Sequence, residues 1–173
     1  MFVRHHRYFE MMPLVGKEDK ALEVLVEGVK HINKPWWISA GTLLGFERNG
    51  NFIPYDTDID IATIGETKLE LPSDFELIRT ATDYHGRLHQ QAYMHNPTNI
   101  IFDVFHYYEH DENTYYTESE KGKIFRSREL LDNLTTKTYR GVEMGVPTKI
   151  DEYLTEWYGE WRIPKQEKTI WKK

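Results

Sequence analysis

Apolar residues in the first part of the chain recur at the spacing of a helix. Over residues 17–34, Leu22, Leu25, Val26, Val29 and Ile32 share one face, Glu23, Glu27 and Lys30 the other, and Pro35 ends the run. The segment WWIS (36–39) reads as a short buried strand. It leads into AGTLLGFE, where Gly41 offers a tight turn and Leu43, Leu44 and Phe46 predict a short helix. Pro54 closes a loop that holds Asn49, Gly50 and Asn51. From Asp56 the period changes to two: Asp56, Asp58 and Asp60 point one way, Thr57, Ile59 and Ile61 the other. FELIRTA and RLHQQAYM predict two more strands around the turn TDYHG. Residues 99–108, NIIFDVFHYY, predict a third, apolar nearly throughout except for Asp103. TYYTES and KIFRS add shorter strands. PTKIDEYLTEWYG predicts a late helix, with Thr148 and Asp151 as a capping box and Gly159 as its stop. Strands and helices in this irregular order give an α/β (α+β) fold with a mixed sheet.

Composition narrows the picture. A chain of 173 residues with 14 % aromatic content has enough material to bury a core, and no Ser/Gly/Pro-rich linker or internal repeat divides it, so a single domain over 1–173 is expected. The net charge of −6 gives no broad attraction to nucleic acid. The absence of cysteine excludes disulfides and thiolate zinc sites. No apolar run approaches the roughly 20 residues of a spanning helix. The start, MFVRHHRYFEMMPLVG, has neither a clean apolar stretch nor a small-residue cleavage site, so the expected compartment is cytoplasmic.

Three features carry chemistry. Alternate residues of a strand share a face roughly 7 Å apart, so Asp58 and Asp60 can converge on one divalent cation or a close pair. The bland reading is a solvated acidic edge, but the alternating isoleucines anchor the opposite face in a core. Oxygen ligands favour Mg²⁺ or Mn²⁺. An EF-hand is excluded, because the positions that need glycine and glutamate hold Ile61 and Thr67. Asp103 is the second feature. Unpaired within IIFDVF it would be costly to bury, so it belongs either at a strand end against backbone or beside the aspartate strand, completing the metal site. The third is SAGTLLG, whose Gly41 and Thr42 can offer backbone N–H groups and a hydroxyl to a phosphate, with Arg48 in the following loop as a neutralising cation. Two histidine pairs are decoys. HYYEH (106–110) and HGRLH (85–89) have helical zinc spacing but lie in strand-like sequence, where residues four apart are too far from each other for the rings to converge.

Taken in order, AGTLLG, FIPYDTDID and FDV resemble the active site of the nucleotidyltransferase fold, a mixed β-sheet flanked by helices. More narrowly, WWISAGTLLGFERNGNFIPYDTDIDIA resembles the LicD family, which includes the fukutin-related transferases, and GVEMGVP and YLTEWYGEWRIP resemble its later blocks. The resemblance implies metal-dependent transfer of a phosphorylated alcohol, such as phosphocholine or ribitol phosphate, from a CDP-activated donor to a glycan hydroxyl. By that likeness Gly41, Thr42, Arg48 and Asp56 contact the donor. Asp58 and Asp60 hold Mg²⁺ or Mn²⁺, and Asp103 completes the metal set or takes the proton of the attacking hydroxyl. Tyr55 stands where the family usually has tryptophan, and the sequence shows neither the membrane anchor nor the cysteine-based zinc element of some animal relatives. Two other readings share the same acids: transfer of a nucleoside monophosphate to a sugar, small molecule or protein, and a non-catalytic nucleotide- or glycan-binding module.

Overall fold

The computed structural model describes residues 1–4, 11–119 and 122–164. Part of the N-terminal stretch read for a leader, residues 5–10, lies outside them.

The chain begins with β1 (Phe2–Arg4) and the helix α1 (Glu18–Val29), which buries Ala21, Val24 and Leu25. The helix stops short of the predicted residue 34. His31 and Ile32 donate to the carbonyls of Gly28 and Val29, closing the end with tight turns. Next come β2 (Trp36–Ile38), α2 (Ala40–Asn49), β3 (Asp58–Ile64), β4 (Phe75–Thr82), β5 (Leu88–His95) and β6 (Ile100–Glu109). Gly41 is therefore part of the first turn of α2 rather than a free turn. Gly50, at φ 68°, ends that helix in the left-handed conformation that glycine adopts without penalty. The chain continues through β7 (Thr114–Ser119), β8 (Gly122–Ser127), the one-turn α3 (Arg128–Leu131), β9 (Leu134–Tyr139), β10 (Val142–Pro147) and α4 (Ile150–Tyr158). The expected capping box is not formed: Lys149 occupies the cap position of α4, and no side chain caps the helix. Glycine 159 does end it.

Among the described residues the main sheet runs β1-β4-β5-β6-β3-β2, with the β7–β8 hairpin branching from β6. Its pairings are antiparallel except at the centre, where β3 lies parallel to β6. That parallel pair decides what each face holds. Ile59 opposes Phe102 and Ile61 opposes Val104, all fully buried, and α1 packs on them so closely that a Cβ on Gly28 would lie 2.6 Å from the Phe102 ring. The other face carries Asp60 opposite Asp103. A separate β9–β10 ribbon covers β2. Gly145 is essential to that contact, because a Cβ there would meet the Trp36 carbonyl oxygen at 1.9 Å. No described helix is long and apolar enough to cross a membrane.

Candidate active site

Asp56 precedes β3 in a turn pinned from both sides. Its N–H donates to the Ile53 carbonyl, and its own carbonyl accepts from Leu14 at 2.8 Å. Asp58 opens the strand and Asp60 follows two residues on. Carboxylate oxygens of these three residues lie within 4.8 Å of one another. The start of α2 faces them. Ser39 donates its N–H to the Asp60 carbonyl (2.9 Å), the Asp60 N–H donates to Thr42 Oγ1 (2.8 Å), and the Gly41 N–H donates to the Asp60 carboxylate. A Cβ on Gly41 would stand 2.2 Å from Asp56 Oδ2, so the acids approach the helix only because this residue has no side chain. Ala40, beside it, holds φ 42°, a conformation costly for a residue with a Cβ and concentrated at functional sites.

A second carboxylate system comes from the sheet itself. Arg79 on β4 is in register with Ala92 on β5, Ala92 with Asp103 on β6, and Asp103 with Asp60 on β3. The small side chain of Ala92 lets Arg79 reach across it and donate to Asp103 Oδ2 at 2.5 Å. Gln90 donates to the same oxygen at 2.6 Å. The other oxygen, Oδ1, is buried without a hydrogen-bond partner among the described residues, although Asp103 is only 1 % exposed. Such an atom is rare in a folded protein and marks a place for a ligand.

These groups share a cavity of about 700 Å³. Its floor is the acidic face of β3 and β6. Its walls include the start of α2, Trp157 and Tyr158 from the end of α4, and Arg126 from β8; Met11 and the half-exposed Tyr55 stand at its rim. Burial, and then the neighbouring Asp58, Asp56 and Asp103, push the Asp60 carboxyl well above its usual range, against the Gly41 N–H. Burial likewise pushes Asp103 up to about 7, opposed by Arg79 and assisted by Asp58. Burial followed by the charge of Asp60 raises the Tyr158 phenol, which therefore stays protonated. The donors are all oxygen, crowded and costly to ionise together, and one is unsatisfied. That set fits a hard divalent cation such as Mg²⁺ or Mn²⁺, with Asp56, Asp58 and Asp60 as the clustered residues able to hold it and Asp103 beside them on β6.

The residues singled out from sequence are distributed unevenly. Asp56, Asp58, Asp60, Asp103 and Gly41 all line the cavity. Thr42 is buried behind it, where it fixes the β3 backbone. Arg48 lies on the last turn of α2, outside the cavity wall. The histidine pairs do not converge. The buried His106 ring sits between Thr63 and Gln91 while His110 is exposed at the strand end, and His85 is exposed in a turn while His89 is buried near Asp83. Arg79, Gln90 and Arg126 are not legible as site residues in the sequence. Each lies within a strand sequence of mixed character, and only the register shows which face it occupies. Arg126 left one trace, a charge at the same alternation as Ile124 in KIFRS.

A mixed sheet whose central parallel pair sets acids against a helix N-terminus is the framework of a nucleotidyltransferase-type domain. Residues 33–149 match the family model described as LicD/FKTN/FKRP, nucleotidyltransferase domain, and the chain belongs to this family. The match spans β2 to β10 and the carboxylates; Trp157 and Tyr158 lie beyond it. Among curated proteins, the ribitol-5-phosphate transferase FKTN of Homo sapiens is 28 % identical over 160 residues, covering 87 % of this chain and 35 % of that protein. FKTN of Macaca fascicularis is 27 % identical over 154 residues, covering 83 % and 33 %. The chain thus spans about a third of the length of these relatives. A solved structure, the lincosamide antibiotic adenylyltransferase LnuA with lincomycin bound, aligns with a TM-score of 0.46 and 12 % identity over 79 % of this chain and 84 % of that one.

Proposed function

We propose that the chain transfers a phosphorylated alcohol from a CDP-activated donor to a glycan hydroxyl, with Mg²⁺ or Mn²⁺ held by Asp56, Asp58 and Asp60 and with Asp103 taking the hydroxyl proton. The observation that carries the reading is the gathering of four carboxylates, from β3, the turn before it and β6, on one cavity that also contains arginine. The FKTN relatives are ribitol-5-phosphate transferases, which makes ribitol 5-phosphate the first candidate for the transferred group. When bound, the cation would neutralise phosphate charge and the mutual repulsion of its ligands.

The chain's own residues supply the remainder. The acceptor oxygen attacks the phosphorus of the alcohol phosphate, the bond to the CMP oxygen breaks, and CMP leaves carrying that electron pair. The hydroxyl proton goes to Asp103 Oδ1. Arg79 and Gln90 hold Oδ2, which orients the carboxylate and leaves Oδ1 as its unpaired oxygen. A carboxyl poised near 7 suits general-base work at neutral pH. Gly41 and Thr42 act through Asp60, one on its carboxylate and the other on its backbone. Choline is less well served, since the Trp157 face that would meet a quaternary ammonium is already covered by Arg126 at 3.7 Å.

The test is CMP release from CDP-ribitol, CDP-glycerol and CDP-choline with Mg²⁺ and a glycan acceptor, with ATP in parallel. CMP release from a CDP-alcohol, with the alcohol phosphate recovered on the glycan, is expected. Pyrophosphate release from ATP with no reaction of any CDP-alcohol would replace this reading with nucleotidyl transfer.

A further inference from the structure

Arg126 reaches the cavity from the β7–β8 hairpin, outside the strand path that carries the acids. It is only 8 % exposed, and its guanidinium lies 3.7 Å from the centre of the Trp157 ring. Among the described residues it forms no ion pair. Its hydrogen bond there runs from Nη1 to the adjacent Phe125 carbonyl at 2.6 Å, and Nε is buried without a partner. Arg79, the other arginine of the cavity, differs in being committed to Asp103. Burying a cation without a carboxylate is expensive unless an anion completes it, and a planar guanidinium offers paired donors matched to phosphate oxygens. Trp157 holds that plane in place, and the carboxylate floor bounds the other side of the cavity.

We propose that Arg126 is the phosphate-binding arginine of this site and takes the pyrophosphate linkage of the donor between itself and the acidic floor. The proposal extends the CDP-alcohol reading, but its ligand chemistry is that of any pyrophosphate.

The test measures inorganic pyrophosphate and CDP-ribitol binding to the Mg²⁺-loaded chain by calorimetry, for the wild type, Arg126→Met and Arg126→Lys. Arg162→Met serves as control: Arg162 lies 4.3 Å over the Trp161 ring in the same manner, but outside the cavity. Arg126→Met should weaken pyrophosphate about 10- to 100-fold and Arg126→Lys by less, while Arg162→Met leaves it unchanged. Mn²⁺ affinity, read by water-proton relaxation, and Tm should stay near wild type in Arg126→Met. Wild-type pyrophosphate affinity in Arg126→Met would overturn the proposal, as would no pyrophosphate binding by the wild type or a parallel loss of Mn²⁺. If pyrophosphate binding falls in Arg126→Met while the wild type turns over no CDP-alcohol, the arginine assignment stands and the donor reading fails. If CDP-ribitol is turned over with the same KM in both proteins, the donor reading stands and the assignment fails.

Discussion

Asp60 and Asp103 face each other directly across the parallel strands β3 and β6, with Arg79 held to the far oxygen of Asp103. Two acids in this relation, buried and pushed upward together, oppose each other, and a cation beside them would relieve that opposition. Replacing Asp58 or Asp60 with Ala should therefore cut transfer by at least about 100-fold while leaving the fold intact. Without added metal, these variants should melt at or slightly above the wild-type temperature, and Mg²⁺ should no longer raise their Tm. Full activity in either variant would remove the residue from the metal set.

Asp103→Asn keeps the shape of the side chain but provides no base. Turnover should fall by roughly 100-fold or more, with donor affinity little changed. The readout is a comparison of kcat with KM for the donor, and a near-wild-type kcat would leave Asp103 without a catalytic role.

Gly41→Ala separates stability from function. The obstructed atom is the end of a flexible side chain, Asp56 Oδ2, so the helix tolerates the change and the carboxylate moves away. Tm should stay within a few degrees of wild type, whereas Mn²⁺ affinity falls about tenfold, as judged by calorimetry.

Ala92→Leu places a branched side chain between Arg79 and Asp103. We expect about 1–3 kcal/mol of destabilisation from overpacking, and a loss of kcat similar to that of Arg79→Met. Combining the two should lower kcat no further than Ala92→Leu alone, because both remove one ion pair. Additive losses would separate Ala92 from that pair.

His106 gives the fold an acid limit of its own. Burial depresses it from 6.5 to about 4, and its neutral ring is fully used: Nδ1–H donates to Thr63, while Nε2 accepts from Gln91 at 2.8 Å. Between these values the unfolded chain binds a proton that the folded one does not, so the contribution of His106 declines as pH falls from about 6.5 toward 4 and is intact above that window. The difference should approach about 3 kcal/mol. Urea unfolding of the wild type and His106→Gln across this range should show the variant losing less stability on acidification.

What the sequence disclosed depended on how local the signal was. The aspartate strand announced itself through period two, and Asp103 through being a lone charge among apolar neighbours. Both follow from alternation within one strand. The placement of Arg79, Gln90 and Arg126 depends on register between strands, which no single segment encodes. Proximity in sequence to Gly41 is all that points to Thr42 and Arg48. The helical turn that joins them instead sends Thr42 inward and Arg48 to the far end of α2. The capping box at Thr148 and Asp151 failed for a related reason: the backbone of Thr148 is engaged by the Asn133 carbonyl, and the helix begins one residue later.

The position of β6 between β5 and β3 also has a kinetic meaning. Strands β4, β5 and β6 form a meander of nearest neighbours, whereas β3 must close a long loop across that meander before it can pair. Loop-closure entropy and contact order place such pairings late in folding. The chain therefore completes the scaffold for Asp103 before Asp58 and Asp60 arrive, and a divalent cation has nothing to template until the final strand docks.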